Sequence, residues 1–306
     1  MHFHKPMPQR TPLQDRLFEA KLSLKAWIDA MTGYPRLRRM FRERVGYAPN
    51  IHAPTTYNEK IQWRKIHDRD PRYPVVSDKL RMRDYLRDLL GAEAAGAMLP
   101  RLYMATDDPA RIDFAALPDT LVLKANHGSG WNIFLRPGAE ADEAALRAEM
   151  ARWLRLSYGK LKHEWAYQHI PRRIMVEELI EGPDGRGPDD LKFSIIGGKC
   201  EFIFWDDDRW GGFTQHICDR DWAELPWTND DLPKGTLPPP PPGYDRMLEI
   251  AERIGREFDM IRVDFLFTAE RFVLNELTLY RGSGMMPYDP PEWDRYYGEK
   301  WVLPTG

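Results

Sequence analysis

Asp264 and Glu276 lie inside two apolar runs, MIRVDFLF and FVLNELTL, which are rich in β-branched and aromatic residues and joined by Thr268, Ala269, Glu270 and Arg271. An antiparallel hairpin brings these two acids close together. Ionised carboxylates at close range repel unless a cation or a shared proton relieves them, so the pair points to a hard divalent metal held by oxygen ligands. Thr278 offers a third oxygen. Arg262, two residues before Asp264, shares its strand face and sets a cation beside the metal position. The combination suits a polyphosphate.

Two lysines upstream extend the pattern. VVSDKLRMRDYLRDLLG reads as a short strand and then a helix, with Ser77 or Asp78 as N-cap and Gly91 as the stop. Lys79 in the first helical turn faces the positive end of the dipole, which invites a functional explanation beside the plain one of a lysine snorkelling into solvent. Lys124 is a rare charge in the strand TLVLKA, and NHGSGWN follows before residues 133–135 resume the strand. Gly128 and Gly130 flank Ser129, so backbone amides there can approach phosphate oxygens. On their own these glycines are ordinary turn residues, and neither a Walker A motif nor GxGxxG is present.

The strand RIMVEELI, residues 173–180, runs into the loop EGPDGRGPDD, and its adjacent Glu177 and Glu178 must face opposite sides. LKFSIIGGKCEFIFW is a hairpin about a Gly-Gly turn, with Lys192 in its first strand. The acids Asp206, Asp207 and Asp208, followed by Arg209, lack the spacing of a calcium loop.

The elements around these residues are mostly helical. Residues 13–31 carry Leu17, Ala20, Leu24, Trp27, Ile28 and Met31 at helical spacing. Residues 35–45 gather Arg36, Arg38, Arg39, Arg42 and Arg44 against the single acid Glu43, either as a solvated face or as a contact for an anionic membrane or polymer. In YNEKIQWRKI, residues 57–66, Ile61 and Trp63 pack inward, while Asn58, Glu59 and Lys60 read as caps, surface residues or substrate contacts. Residues 140–156 form another helix; Pro238 to Pro242 make a stiff connector before a helix over 244–258 whose Met247, Leu248, Ala251 and Ile254 face a core.

At 306 residues the chain has room for two or three lobes, and 44 Lys and Arg against 47 Asp and Glu argue against a protein built to hold nucleic acid. Cys200 and Cys218 have no metal-ligand spacing and no disulfide framework, which fits a reducing cytoplasm. No run approaches the roughly 20 apolar residues of a membrane span, and MHFHKPMPQR lacks the apolar core of a signal peptide.

SDK at 77–79, VLKANHGSG at 122–130, VEELIEG at 176–182, RVDF at 262–265 and NELTLYRGSG at 275–284 together resemble the ATP-grasp superfamily in order and spacing. YNEKIQW, DRDP, VLKANHGSGWN, the KF strand and the closing ELT with GSG resemble its TupA-like branch, associated with teichuronopeptide and other surface-polysaccharide synthesis. The resemblance implies an α+β ATP-grasp fold in which two α+β lobes clasp ATP after a mainly helical N-terminal region. The expected divisions are 1–75 for the helical region, 76–180 for the lobe with the glycine-rich flap and 181–306 for the lobe with the Mg2+ site.

The same resemblance assigns roles. Lys79 and Lys124 reach the nucleotide phosphates, His127, Gly128, Ser129 and Gly130 form the flap, and Lys192 joins the ATP set. Glu178 and Ile180 offer backbone groups to adenine, Glu177 a side chain to its amino group, and Asp184 or Asp190 a ribose contact. Arg262, with Lys124, steadies the transferring phosphoryl group; Asp264 and Glu276 hold Mg2+, with Thr278 where many relatives carry asparagine. Arg281, Gly282 and Ser283 fall on the substrate side, and Arg281 either recognises an anionic acceptor or pairs with a nearby acid.

The implied reaction turns a carboxylate into an acyl phosphate, which an amine then attacks to form an amide. The implied acceptor is a uronic acid or amino acid on a surface-polysaccharide precursor, with an amino acid as the amine. Two alternatives stand beside it: a kinase acting on a sugar hydroxyl, and a glycosyltransferase or polysaccharide-binding protein using its many Trp and Tyr residues. The expected location is cytoplasmic, at the inner membrane face if the arginine-rich segment touches lipid.

Overall fold

The computed structural model describes residues 10–138, 142–183, 185–207, 214–229 and 235–304. In chain order the helices are α1 (Pro12–Met31), α2 (Pro35–Val45), α3 (Tyr57–His67), α4 (Tyr73–Val76), α5 (Met82–Leu90), α6 (Ala92–Met98), α7 (Glu143–Arg155), α8 (Tyr244–Gly255) and α9 (Glu292–Lys300). The strands are β1 (Leu102–Thr106), β2 (Leu121–Ala125), β3 (Asn132–Leu135), β4 (Ile174–Glu178), β5 (Asp189–Ile196), β6 (Lys199–Asp207), β7 (Thr214–Cys218), β8 (Met260–Phe267) and β9 (Phe272–Thr278). They form two antiparallel sheets, in the orders β1-β4-β2-β3 and β7-β6-β5-β8-β9.

The chain divides into two compact units: residues 1–35, 71–85 and 100–179 make one, and residues 36–70, 86–99 and 180–306 the other. The N-terminal helices are shared out, α1 belonging to the first unit and α3 to the second.

In the first unit, Leu121, Leu123 and Ala125 of β2 alternate with Val122 and Lys124, as a strand covered on one face by a helix requires. The apolar set packs with Ile174 and Val176 of β4 and with Leu146, Met150 and Trp153 of α7. Asp142 starts α7 by accepting from the backbone N–H groups of Ala144 and Ala145. Lys124 is thereby turned to the opposite face, where the register also puts Glu177, opposite Val122.

In the second unit, the helix α8 buries Met247, Ile250, Ala251 and Ile254. Met247, Ile250 and Ile254 each contribute about 1.5–3 kcal/mol. Leu248, expected to face the core, is half-buried, and Ile250 takes its place. A side chain at Gly255 would lie 2.1 Å from the Ile195 methyl, so a glycine is required where α8 meets the sheet. The face with Phe193, Ile195, Val263 and Phe265 is the core; the other face of β8 carries Arg262 and Asp264.

One expectation is corrected. Val75 and Val76 read as a strand, but residues 73–76 are a helical turn with Tyr73, Pro74 and Val76 buried, and the following helix begins only at Met82. Burial of that aromatic and proline outweighs the strand preference of two valines. Cys200 and Cys218 are both free and buried.

Candidate functional site

Within the first unit, Lys79 lies in the turn before α5. Asp78 shapes that turn by accepting from the backbone N–H groups of Leu80 at 2.9 Å and Arg81 at 3.3 Å, and from the Asn126 amide at 2.8 Å. The Lys79 N–H donates to the Asn126 carbonyl at 3.1 Å, and its Nζ donates to the Gly128 carbonyl at 2.9 Å. Lys79 therefore rests on the glycine loop that separates β2 from β3. Gly130 has a φ of +74°, and a side chain at Gly128 would meet the Trp131 ring at 2.9 Å. Both glycines are needed where they stand.

Glu177 is buried and bridges two cations, Arg83 Nη1 at 3.0 Å and Lys124 Nζ at 3.1 Å. The Glu178 N–H donates to the Arg101 carbonyl at 2.9 Å, and its carboxylate accepts from the Arg101 N–H at 3.0 Å. His127 is fully buried, with Nε2 3.1 Å from the Trp153 carbonyl and 3.2 Å from that of Leu156, at the end of α7. Burial, aided by the Arg172 charge, lowers its pKa to about 4. It anchors the glycine loop to the helix as a neutral side chain.

Within the second unit, the β8–β9 hairpin closes through the loop Thr268 to Arg271, with the Thr268 N–H donating to Arg271 at 2.9 Å. Asp264 faces Glu276 and Arg262 faces Thr278 across the ladder, and the register shifts directly after Asp264. A bulge at such a point fixes the aim of the side chains before it. Arg262 donates from Nε to Asp264 Oδ1 at 2.7 Å and from Nη2 to Asp264 Oδ2 at 2.6 Å. The same Nη2 donates to Thr278 Oγ1 at 3.2 Å and lies 3.9 Å from Glu276 Oε1, while the Thr278 hydroxyl donates to Glu276 at 2.8 Å. Burial pushes the Asp264 carboxyl above its usual value, and Arg262 opposes that shift.

Lys192 stands opposite Asp264 on the neighbouring strand and forms an ion pair with Asp206. Asp206 also accepts from Gln215 at 2.6 Å. Asp190, buried, faces Asp206 across β5 and β6, so a polar row crosses the sheet on the Asp264 face. Asp184, Asp208 and Arg209 lie outside the described residues.

After β9 the chain turns through Arg281–Gly284, with positive φ at Gly282, Ser283 and Gly284. Gln62 donates to the carbonyls of Ser283 at 3.0 Å and Gly284 at 2.7 Å, and Lys65 donates to Ser283 O at 2.9 Å and Oγ at 3.1 Å. Arg64 of the same helix donates to the carbonyls of Met260 at 2.9 Å and Leu279 at 3.3 Å, clamping the two strands at their open end. These three residues escape a reading of motifs. Their signal is a run of long polar side chains, Gln62, Arg64 and Lys65, on a helix whose Ile61 must be buried.

Arg281 is buried, with its guanidinium carbon 4.6 Å from the Phe204 ring centre and 5.4 Å from that of Tyr288, and it donates to the Tyr288 hydroxyl at 3.3 Å. Among the described residues no carboxylate pairs with it. Asn58, Glu59 and Lys60 are structural: Glu59 completes a capping box with Thr56, Asn58 binds Asp294, and Lys60 donates to the Gly298 carbonyl at 2.7 Å.

One unit thus presents Lys79 and Lys124 beside a glycine loop, the other a hairpin with an arginine-steadied carboxylate pair, and the fold is of the ATP-grasp class. Residues 59–302 match the TupA-like ATPgrasp family, and the chain belongs to that family. Comparison with curated protein sequences gives no significant match. Among solved structures, D-alanine–D-alanine ligase from Bacillus anthracis complexed with ATP is similar at 15% identity over 67% of this chain and 55% of that one, with a TM-score of 0.40. The Helicobacter pylori D-alanine–D-alanine ligase is similar at 14% identity over 75% and 62% of the two chains, with a TM-score of 0.42. The ATP-grasp ligase PsnB complexed with minimal precursor is similar at 19% identity over 71% and 57%, with a TM-score of 0.37. The matches span less than two thirds of each of these proteins.

Proposed function

We propose that the chain is an ATP-dependent carboxylate–amine ligase that joins an amino acid to a uronic acid or similar carboxylate of a surface polysaccharide or its precursor. Family membership supports ATP use, and the single observation that carries the site is the contact of one guanidinium nitrogen, Arg262 Nη2, with Asp264, Thr278 and Glu276. A cation already sits among three hard oxygen donors. That donor set fits Mg2+, which takes one or two carboxylates and completes its shell with water and phosphate oxygens. Among the described residues no group of three or more His, Cys, Asp or Glu gathers to hold a metal; the proposed ligands are the facing pair Asp264 and Glu276, with Thr278 as neutral support. Bound there, Mg2+ would offset the negative charge of the phosphates.

Lys79 and Lys124 hold phosphate oxygens, and Lys124 is aimed by its ion pair with Glu177. The flap is Gly128 to Gly130, with His127 as its anchor rather than a ligand. The N–H of Glu178 is committed to Arg101, so the adenine contact falls to Ile180 and the strand end. Asp184 or Asp190 meets the ribose, and Lys192 the phosphates. Arg262 balances charge as the acceptor carboxylate attacks the γ-phosphorus and ADP leaves. The amine then attacks the acyl phosphate, and phosphate departs with the carboxylate oxygen that had carried it.

Arg281 recognises the acceptor carboxylate. Its positive charge, turned over aromatic rings with no acid partner among the described residues, supports that reading. Gly282 and Ser283, braced by Gln62 and Lys65, shape the same subsite. The free thiols of Cys200 and Cys218 support work in the cytoplasm. ADP release measured over amino acids crossed with uronic acids tests the proposal: turnover that needs both substrates and falls at least about tenfold in Arg281→Met supports it. Turnover with a hydroxyl acceptor alone, giving a phosphorylated sugar, would replace it with a kinase.

A further inference from the structure

The helix α1 is built inside out. Its acids face the body of the first unit: Asp15 accepts from Arg155 at 2.9 and 3.1 Å, Glu19 accepts from the Ser157 N–H at 3.0 Å and pairs with Lys160 at 3.1 Å, and Asp29 meets His163 at 2.9 Å. Phe18 and Leu22 are half-buried, while its six other large apolar residues face out. Leu13, Leu17, Leu24, Trp27, Ile28 and Met31 are 46 to 69% exposed.

At 3.6 residues per turn these six side chains, with Ala20 among them, fall within an arc of about 100°. Arg16, Lys21 and Lys25, all exposed, flank the arc on both sides. The solvent side of the helix is thus apolar and cationic, and each of its three acids is turned inward. Thr11 and Gln14 close a capping box at its start, so the helix is a formed element along the whole stripe.

We propose that α1 lies flat on an anionic lipid bilayer, with the stripe from Leu13 to Met31 in the headgroup boundary and Arg16, Lys21 and Lys25 reaching the lipid phosphates. An apolar face bordered by basic residues and a tryptophan is the pattern of an interfacial helix. Charge decides against a second copy as the occupant. Two such faces would bring Arg16, Lys21 and Lys25 against their own copies, with no acid of this helix exposed to balance them. The arginine-rich α2, the candidate from sequence, is the weaker one because its apolar residues Leu37 and Phe41 are buried. Among the described residues no helix is long and apolar enough to cross a membrane, so the contact is peripheral.

The test is flotation of the full chain with vesicles of phosphatidylcholine, with and without phosphatidylglycerol, at low and high salt. The fraction bound to the anionic vesicles is expected to exceed that on neutral vesicles about tenfold and to fall with salt. Leu17→Gln with Leu24→Gln should cut binding about tenfold, and Lys21→Gln with Lys25→Gln should remove the salt dependence. Near-UV circular dichroism should be unchanged in both, since all four side chains are exposed. Failure of the wild type to bind anionic vesicles at low salt, or undiminished binding by the leucine variant, would overturn the proposal. A concentration-dependent dimer that the leucine variant abolishes, without vesicle binding, would assign the stripe to a second copy instead.

Discussion

Arg262 clasps Asp264 through two parallel hydrogen bonds, Nε to Oδ1 at 2.7 Å and Nη2 to Oδ2 at 2.6 Å, although the two residues are only two apart on one strand. The pleat makes this possible by putting both side chains on the same face. Replacing Asp264 with Asn should leave the chain folded but lower its stability by about 1.5–3 kcal/mol, the value of hydrogen bonds to a charged group. ATP turnover should fall by about a hundredfold or more, and Glu276→Gln should match that loss. Urea unfolding and ADP release measure the two effects; undiminished turnover in both variants would refute the metal assignment.

Glu177 is shared by Arg83 and Lys124, and all three side chains are largely buried. The Glu177→Gln variant removes the carboxylate that both cations share, so unfolding free energy should drop by about 3–5 kcal/mol. Restoring the wild-type net charge of the cluster with a simultaneous Arg83→Met change should recover part of the loss. No recovery would mean that the pair does not act as a unit.

His127 gives a pH signature. Its folded pKa of about 4 lies below the ordinary 6.5, so the unfolded chain takes up the proton first as pH falls. Its contribution is whole above pH 6.5 and is lost as pH falls to about 4. In urea unfolding, the wild type should lose up to about 3 kcal/mol more than His127→Gln between the two limits. Parallel pH profiles for the two proteins would contradict the anchoring role.

Lys65 holds the Ser283 loop through two hydrogen bonds. Lys65→Met should raise KM for the carboxylate acceptor about tenfold and leave KM for ATP within about twofold. The opposite split would place the 281–284 loop with the nucleotide.

Much of this was legible in the chain. The β8–β9 hairpin was readable because Arg262, Asp264 and Glu276 interrupt apolar runs that no surface strand would carry, and Lys124 stood out in TLVLKA for the same reason. Two of the four edge strands were not. β1, with Leu102, Tyr103 and Met104 only half-buried, and β7, which opens on Thr214 and Gln215, have no clear apolar alternation and owe their extension to one neighbour each. The brace in α3 was hidden because Gln62, Arg64 and Lys65 bond to backbone carbonyls more than two hundred residues away in most cases, a relation that no local pattern encodes. In α1 the period was plain, but period identifies a helix without saying which face is buried. Only the pairing of Asp15, Glu19 and Asp29 decides that.

The most direct test of the ligase reading is an isotope transfer. A uronic acid labelled with oxygen-18 in both carboxylate positions, incubated with Mg-ATP, amino acid and this protein, should yield inorganic phosphate carrying one labelled oxygen and an amide retaining the other. Unlabelled phosphate, or a phosphorylated sugar with its carboxylate label intact, would contradict passage through an acyl phosphate.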